Sequence, residues 1–504
     1  MPSLGEPPLP RRFWPRRRLS PLLFGVALAL AACASGVRKP VVDLPAAYEA
    51  PAGGQALSEQ QLDRWWLIFG DDQLNKLEDQ ALANSPTAKT QAARLKEAIA
   101  TRDSAILQTF PTGDLTGGAS HTNTSGIGAE PSSLIPIGGP SGSDRLDFKV
   151  SWEFDFLGAL EDARKAAKHD FWASKFATEG ARASLVANVA DSYFQARGLA
   201  IQLADADEQV RIETALLKTA QIKADHGLGP RSDADRIAGD LAVARSNSDS
   251  LAAQQHAAQR LLLILVGRGA EPVANLPVAA DVPDPPPLPD AVPAQLLKRR
   301  PDIRQAEEQM RAATLRTKLA REELFPNITI QPAIGIARSV APGIGLASLV
   351  PLILFPQEQS QHTDYWSYGA NIDQPVLDIP RLLEDAKAQS ARAEQAVVAY
   401  EQSVQTALGD AENALVELAS DERRIKILED GEARARRAYD DEQVRYRAGL
   451  DDVTTLLSAE GTWRTDRADL TGERVQALRR AVQTYKALGG GWDADTLKTA
   501  ARAP

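Results

Sequence analysis

Two periodicities alternate along this chain, and each occurs twice. Apolar positions such as Leu185, Val189, Tyr193 and Phe194 recur at helical spacing in a proline-free stretch from Leu160 to His226. A second proline-free stretch runs from Leu382 to Arg447. At ~1.5 Å per residue each amounts to on the order of 100 Å of helix. Each run meets a glycine turn, Gly227-Leu228-Gly229-Pro230 or Ala448-Gly449-Leu450-Asp451, and returns as a second helix. The returns end between Leu261 and Gly267 and between Tyr485 and Gly491, so two long antiparallel helical hairpins are predicted. Shorter helices are predicted from Thr87 to Gln108 and from Ala291 to Glu323, each followed by a proline.

Between short and long helices the period changes to two. Leu146, Phe148, Val150, Trp152 and Phe154 alternate with Asp147, Lys149, Ser151, Glu153 and Asp155. Ile328, Ile330, Ile334 and Ile336 form a second series, Trp366, Tyr368, Ala370 and Ile372 a third, and Leu115 to Thr124 a weaker fourth. Strands of about ten residues with one apolar and one polar face fit a transmembrane β-barrel. An ordinary half-buried sheet alternates in the same way; the aromatic apolar face, the strand length and the export signal described below favour the barrel. Four strands cannot close a spanning barrel, because every strand edge must be paired in lipid. Several chains must therefore contribute. Thr124 to Ser143 and Ser339 to Gln361 are expected as the turns, both on the outer side, the second with an apolar centre from Leu349 to Phe355.

The order of elements is duplicated. Pro86 to Pro111 and Pro301 to Pro326 enclose segments of about 25 residues, each closed by Phe-Pro, about 215 residues apart. Glu161-Asp162-Ala163 answers Glu384-Asp385-Ala386, and Gly227-Leu228 answers Gly449-Leu450. The expected organisation is a first repeat over 57–280, with strands near 113–124 and 145–156, and a second over 294–492, with strands near 327–337 and 364–374. A stiff Pro-rich linker over 281–293 joins them, and 493–504 is a tail.

Composition agrees with long helices rather than a thick core: aromatics are 6% of the 504 residues. A formal charge of −10 gives no reason to expect nucleic acid. The N-terminus changes the picture more. Arg11, Arg12, Arg16, Arg17 and Arg18 precede an apolar run from Leu22 to Leu30, and Leu30-Ala31-Ala32-Cys33 follows. This reads as a signal peptide over 1–32 with Cys33, the single cysteine, as the lipidated first residue of the exported protein; an incidental cysteine is the alternative. Ala34 after it suits outer-membrane sorting. The paired arginines fit a twin-arginine signal poorly, because Leu-Ser-Pro follows. Residues 33–56, rich in Pro, Gly and Ala, read as a leash behind the anchor. No apolar run beyond the N-terminus approaches the ~20 residues of a spanning helix.

Several short strings in a fixed order resemble one family. Trp65-Trp66-x-x-Phe69-x-Asp71 opens the first repeat, and Leu296-Leu297-x-Arg299-Arg300-Pro301-Asp302-Ile303, then Ala306-Glu307, opens the second. Phe325-Pro326 precedes a strand, Gln374-Pro375-Val376-Leu377-Asp378 follows one, and Ala487-Leu488-Gly489-Gly490-Gly491-Trp492 closes the match. From about Leu57 to Trp492 the chain resembles the TolC-like outer membrane factors, in particular the lipoprotein (NodT) branch of multidrug efflux systems. Ile379-Pro380 departs from the Gly-Gly or Gly-Arg usual in that family. The resemblance implies a mainly α fold with a membrane β-barrel part. In it, three chains form a homotrimer with twelve strands and twelve tunnel helices. It also implies a periplasmic adaptor and an inner-membrane pump of the RND type as partners, and passage of substrate without a cofactor.

The family's periplasmic gate implies working residues at the helical tips. Tyr446 falls at the gate tyrosine and Asp233 at a gate aspartate; Arg447, Asp451, Asp452 and Arg231 complete the candidate set. Two acidic positions of the family's constriction map to Thr455 and Ser458, leaving Asp451 and Asp452 to supply the acidic charge. Solvated helix-turn charges are the alternative. Ringed carboxylates would favour cations. His121, His169, His226, His256 and His362 lack metal-ligand spacing, and no nucleophile set or phosphate loop is placed, so neither metal nor catalytic residues are expected. The leading function is a passive duct for small toxic compounds. A protein-secretion duct (type I) and a non-pore lipid-anchored coiled-coil scaffold are the alternatives.

Overall fold

The computed structural model describes residues 37–49, 55–56, 58–127, 136–290, 293–342 and 358–492. The signal peptide, Cys33, residues 34–36 and 50–54 of the leash, the centre of the second turn (349–355) and the tail lie outside these residues. The chain divides into a unit of residues 1–39 and a unit of residues 40–504, and the second carries every element below.

Its helices are α1 (Asp72–Asn84), α2 (Pro86–Leu107), α3 (Ala159–Asp225), α4 (Arg231–Leu265), α5 (Pro301–Glu322), α6 (Ile379–Arg447) and α7 (Val453–Ala487). The 67-residue α3 and the 35-residue α4 form one hairpin, and the 69-residue α6 and the 35-residue α7 the other. Each hairpin turns on a left-handed glycine, Gly227 (φ 71°) or Gly449 (φ 73°). Leu228 N–H donates back to the Lys223 carbonyl and Leu450 N–H to the Arg445 carbonyl, which satisfies the carbonyls a helix end leaves unpaired.

The short helix of the second repeat differs from expectation. It does not run unbroken into α5 from the preceding residues: Leu296–Arg299 is a single turn, and Arg300 is extended (φ −75°, ψ 119°). Pro301 is the cause, since a proline ring excludes helical geometry from the residue before it, while its missing N–H costs nothing at a helix start. At the Ile379-Pro380 corner the helix α6 already begins at Ile379, and Pro380 lies in its first turn, where a missing N–H costs nothing. The matching corner of the first repeat uses Gly158 at φ 89°.

Four strands, β1 (Thr112–Ile127), β2 (Pro136–Glu153), β3 (Asn327–Pro342) and β4 (Glu358–Asp373), form one antiparallel sheet in the order β1-β2-β3-β4. They are 16–18 residues long rather than about ten. The flanks of the segments expected as turns, from Thr124 to Ile127, Pro136 to Ser143, Ser339 to Pro342 and Glu358 to Gln361, continue the ladder, because backbone pairing needs no apolar side chains once register is set below it. The last pairs of the two hairpin ladders, Ile127–Pro136 and Pro342–Glu358, lie at the same end of the sheet. Pro332, lacking an N–H, coincides with a gap in the β2–β3 ladder opposite Val150 and Ser151.

The core gathers the family strings. Trp65, Trp66, Phe69, Tyr193, Phe194, Leu262, Leu263, Leu478 and Tyr485 are buried together with the start of α5, and Trp492 is buried against Phe176. Trp65 stacks on Tyr485 at 5.7 Å. Asp71 caps α1 through Gln73 N–H (2.9 Å) and Leu74 N–H (3.0 Å), and its other oxygen takes Tyr193 Oη–H (2.9 Å) and the Arg197 guanidinium. Arg197 also holds Asp281, which fastens the linker onto α3. Arg299 pairs with Asp63 while Trp492 Nε1–H donates to its carbonyl (2.9 Å), so the second repeat's opening closes against its end.

Candidate functional site

The sheet has two chemically opposite faces. Register places Leu115, Phe148, Ile334 and Trp366 in one row, and Trp152 with Ile330 and Ala370 in another, all on the same side. That side is exposed: Leu115, Phe148, Trp152, Ile334, Trp366 and Tyr368 all present their side chains outward. Trp366 and Tyr368 stack at 6.0 Å. The opposite side carries Asp114, Arg145, Asp147, Lys149, Glu153 and Asp373. An apolar aromatic face and a charged face on opposite sides of one sheet suit a lipid exterior and a wet interior. No described helix is long and apolar enough to cross a membrane.

The far ends of the two hairpins meet. Ala220, Ile237 and Val453 form a small buried cluster with Leu216, Leu217, Ala234, Tyr446 and Leu457 against it. Lys223 Nζ donates to Tyr446 Oη at 3.3 Å and lies 4.6 Å from its ring centroid, so α3 and α6 are joined by a hydrogen bond and a cation–π contact. Arg236 Nη1 donates to Thr454 Oγ1 at 3.2 Å, joining α4 to α7.

The candidate residues take different positions. Tyr446 is half-buried in this contact. Asp452 caps α7, accepting Thr455 N–H (2.8 Å) and Thr455 Oγ1–H (2.9 Å), and the Thr455 backbone holds its carboxyl below the usual range. Asp451 is paired with Arg445, whose hydrogen bond keeps its carboxyl low as well. Both acids are therefore ionised but locally engaged. Asp233 sits half-buried in the first turn of α4, where the helix dipole favours an anion. Arg231 and Arg447 are exposed, and Ser458 is exposed on α7. Among the described residues, Arg231 and Asp233 form no ion pair with the second-repeat tip.

Sequence reading missed Lys223 and Arg236. The repeat carries a signal for the first: Lys223 stands four residues before Gly227 as Arg445 stands four before Gly449. Nothing local marks Arg236, whose role comes from the packing of α4 on α7. Among the described residues no group of acids, histidines or cysteines is arranged to hold a metal.

The outer membrane efflux protein family matches residues 77–268 and 292–490. The chain belongs to that family. It is 28% identical over 497 residues to the pyoverdine export outer membrane protein OpmQ of Pseudomonas aeruginosa, spanning 94% of this chain and 97% of that one. It is 27% identical to the cation efflux system protein CusC of Escherichia coli O6:H1, spanning 94% and 98%. Among solved structures, the outer-membrane channel OprN superposes with a TM-score of 0.74 at 26% identity, spanning 90% of this chain and 99% of that one. The efflux family accounts for both halves of the site: a sheet suited to the outer membrane, and helical hairpins that continue from it. The fold read from the sequence, long antiparallel hairpins with four strands, is that of these channels.

Proposed function

We propose that this outer membrane efflux protein is the exit duct of a tripartite system that expels small toxic molecules. Three copies close the barrel and meet a periplasmic adaptor and an inner-membrane pump. The observation that carries the reading is the sheet: among the described residues both of its outer strands, β1 and β4, lack a partner on one side, while its apolar face is exposed. In lipid such edges must be paired, and further copies of the same sheet pair them without new chemistry. Small-molecule or ion cargo is favoured over protein secretion by the relatives, one named for pyoverdine export and one for cation efflux. Deleting the gene and comparing sensitivity to toxic compounds with protein export tests this; unchanged sensitivity alongside a lost exported protein would favour secretion.

The joined hairpin tips are the proposed gate, with Tyr446–Lys223 and Arg236–Thr454 as latches and Asp451, Asp452, Asp233, Arg231 and Arg447 as the surrounding charges. Lys223→Met removes both the hydrogen bond and the cation–π contact, and is expected to raise single-channel open time in planar bilayers several-fold, as a loss of ~1 kcal/mol implies. An unchanged open time in Lys223→Met and in Tyr446→Phe would remove this latch from the gate. Cys33 is the proposed acylation site; intact-mass measurement of the membrane-extracted protein, with Cys33→Ala as the control, tests it.

A further inference from the structure

The inward face of the sheet carries one built arrangement beyond those already described. Asp147 on β2 is 5% exposed, while Arg145, two residues earlier on the same face, pairs with it and stays 54% exposed. Tyr365 on β4 reaches across β3 to donate to Asp147, and Arg145 Nε donates to Tyr365 Oη at 3.0 Å. The Arg145 guanidinium also lies 5.7 Å from the Tyr365 ring centroid.

Gly335 makes this possible. It stands between Asp147 and Tyr365 in the register, and a Cβ there would fall within 2.7 Å of the Tyr365 ring and overlap the Asp147 carboxylate. The tyrosine lies across the backbone where a side chain is absent, which also pins the register of three strands. The row that holds Arg145 is otherwise Gly118, Ala337 and Thr363, all small and uncharged. The negative partner is buried beneath the phenol, and the positive one projects among small neighbours. A solute passing this row meets the guanidinium first.

We propose that Arg145, held by Asp147 and Tyr365 over Gly335, is a selectivity-determining residue of the duct, a fixed cation at mid-barrel that favours anionic solutes. The proposal rests on the reading of the sheet as a barrel wall. A charge repeated around a barrel lumen from each contributing copy biases permeation by its sign. This local preference opposes the cation preference expected of acidic tips, so the two charged rings would act in series.

The test is the chloride-to-potassium permeability ratio of the purified full-length protein in planar bilayers under a potassium chloride gradient. Arg145→Gln is expected to lower the ratio at least ~2-fold, and Arg145→Lys to retain most of it. Ala337→Glu leaves the Arg145, Asp147 and Tyr365 side chains in place and puts an acid beside the guanidinium, so it should lower the ratio too. It keeps the proposal testable where Arg145→Gln does not insert. A conducting Arg145→Gln or Ala337→Glu channel with the wild-type ratio overturns the proposal. Absence of conductance from the wild type instead overturns the barrel reading on which it rests.

Discussion

The short helices of the two repeats are the same length and start at the same kind of proline, yet their surroundings differ. The 22-residue α5 buries Pro301, Ile303, Glu308, Ala312, Thr317 and Ala320, whereas the 22-residue α2 buries nothing. Helix α5 lies against both α3 and α6, while α2 packs mainly on α3. Duplication gave each repeat a place for a short helix between two long ones, but within one chain only the second repeat fills it. The empty side of α2 is where the pseudo-symmetry calls for another copy. The hairpin seams diverge too. Asp421, Arg424, Glu473 and Arg480 form a charged seam between α6 and α7, with Arg480 Nη1 to Asp421 Oδ1 at 2.6 Å and Arg424 Nη2 to Glu473 Oε2 at 2.8 Å. At the matching positions, 222 residues earlier by the Gly227–Gly449 correspondence, the first repeat has Leu199, Gln202, Leu251 and Ala258.

The strongest break of the comparison is Ala312→Glu. Ala312 is fully buried, and its α2 counterpart at the 215-residue offset is Glu97. Forcing the α2 residue into α5 buries an unpaired carboxylate, at a cost of about 4 kcal/mol or more in denaturant unfolding of the detergent-solubilised protein. A cost below ~1 kcal/mol would mean that α5 is not held between α3 and α6.

Glycine substitutions test where the repeats agree. Gly267 and Gly489 have φ near +80°, and a Cβ on each would press on the backbone two residues before the repeat's proline, at Asn84 and Arg299. Gly489→Ala and Gly267→Ala should each cost about 3 kcal/mol, from left-handed strain plus overlap, read as lowered thermal midpoints. Unequal losses would show that the two junctions are not equivalent.

The charged seam predicts a pH dependence from Asp421, a group that the first repeat lacks at the matching position, Leu199. Burial raises the Asp421 carboxyl to about 6, against the lowering effect of Arg480. Its folded-state value lies above the unfolded one of ~3.9, so between pH 4 and 6 the folded state binds more protons. This group's contribution is fully present below pH 4 and declines as pH rises through 6, by on the order of 2 kcal/mol. Asp421→Asn should flatten that part of a stability–pH curve, while Leu199→Asn in the first repeat should leave its slope unchanged. A slope retained in Asp421→Asn would assign it elsewhere.

The smallest expected effect sharpens the comparison from the other side. Glu97→Ala should change the stability of a single chain by less than ~0.5 kcal/mol, as for any exposed substitution. A larger change that appears only in the cross-linkable oligomer would mark α2 as covered by another copy.

Much of this architecture was legible in the residues. The hairpin turns at Gly227 and Gly449 were visible because only a left-handed glycine ends such long proline-free runs without strain. The strand faces were visible because lipid and water impose opposite demands at a period of two. Strand length was not: Gly, Ser and Thr at the outer ends carry no apolar signal, and their pairing is dictated by the ladder below. At the tip, Tyr446 packs against the other hairpin, Asp451 and Asp452 are a pairing and a capping residue, and Lys223 and Arg236 emerged only from contacts between hairpins.

By itself the sequence determined the repeat, the element types, the two-faced sheet and the family, since these follow from local periodicity and from short strings in fixed order. The tertiary structure alone decided which of two matching helices is buried, which tip side chains join, and that Tyr365 spans Gly335 to set Arg145 in place. Those outcomes depend on distances between residues far apart along the chain, 72 and 139 positions for contacts of α5 and 218 to 223 for the tip and the sheet, and no local pattern encodes such a distance.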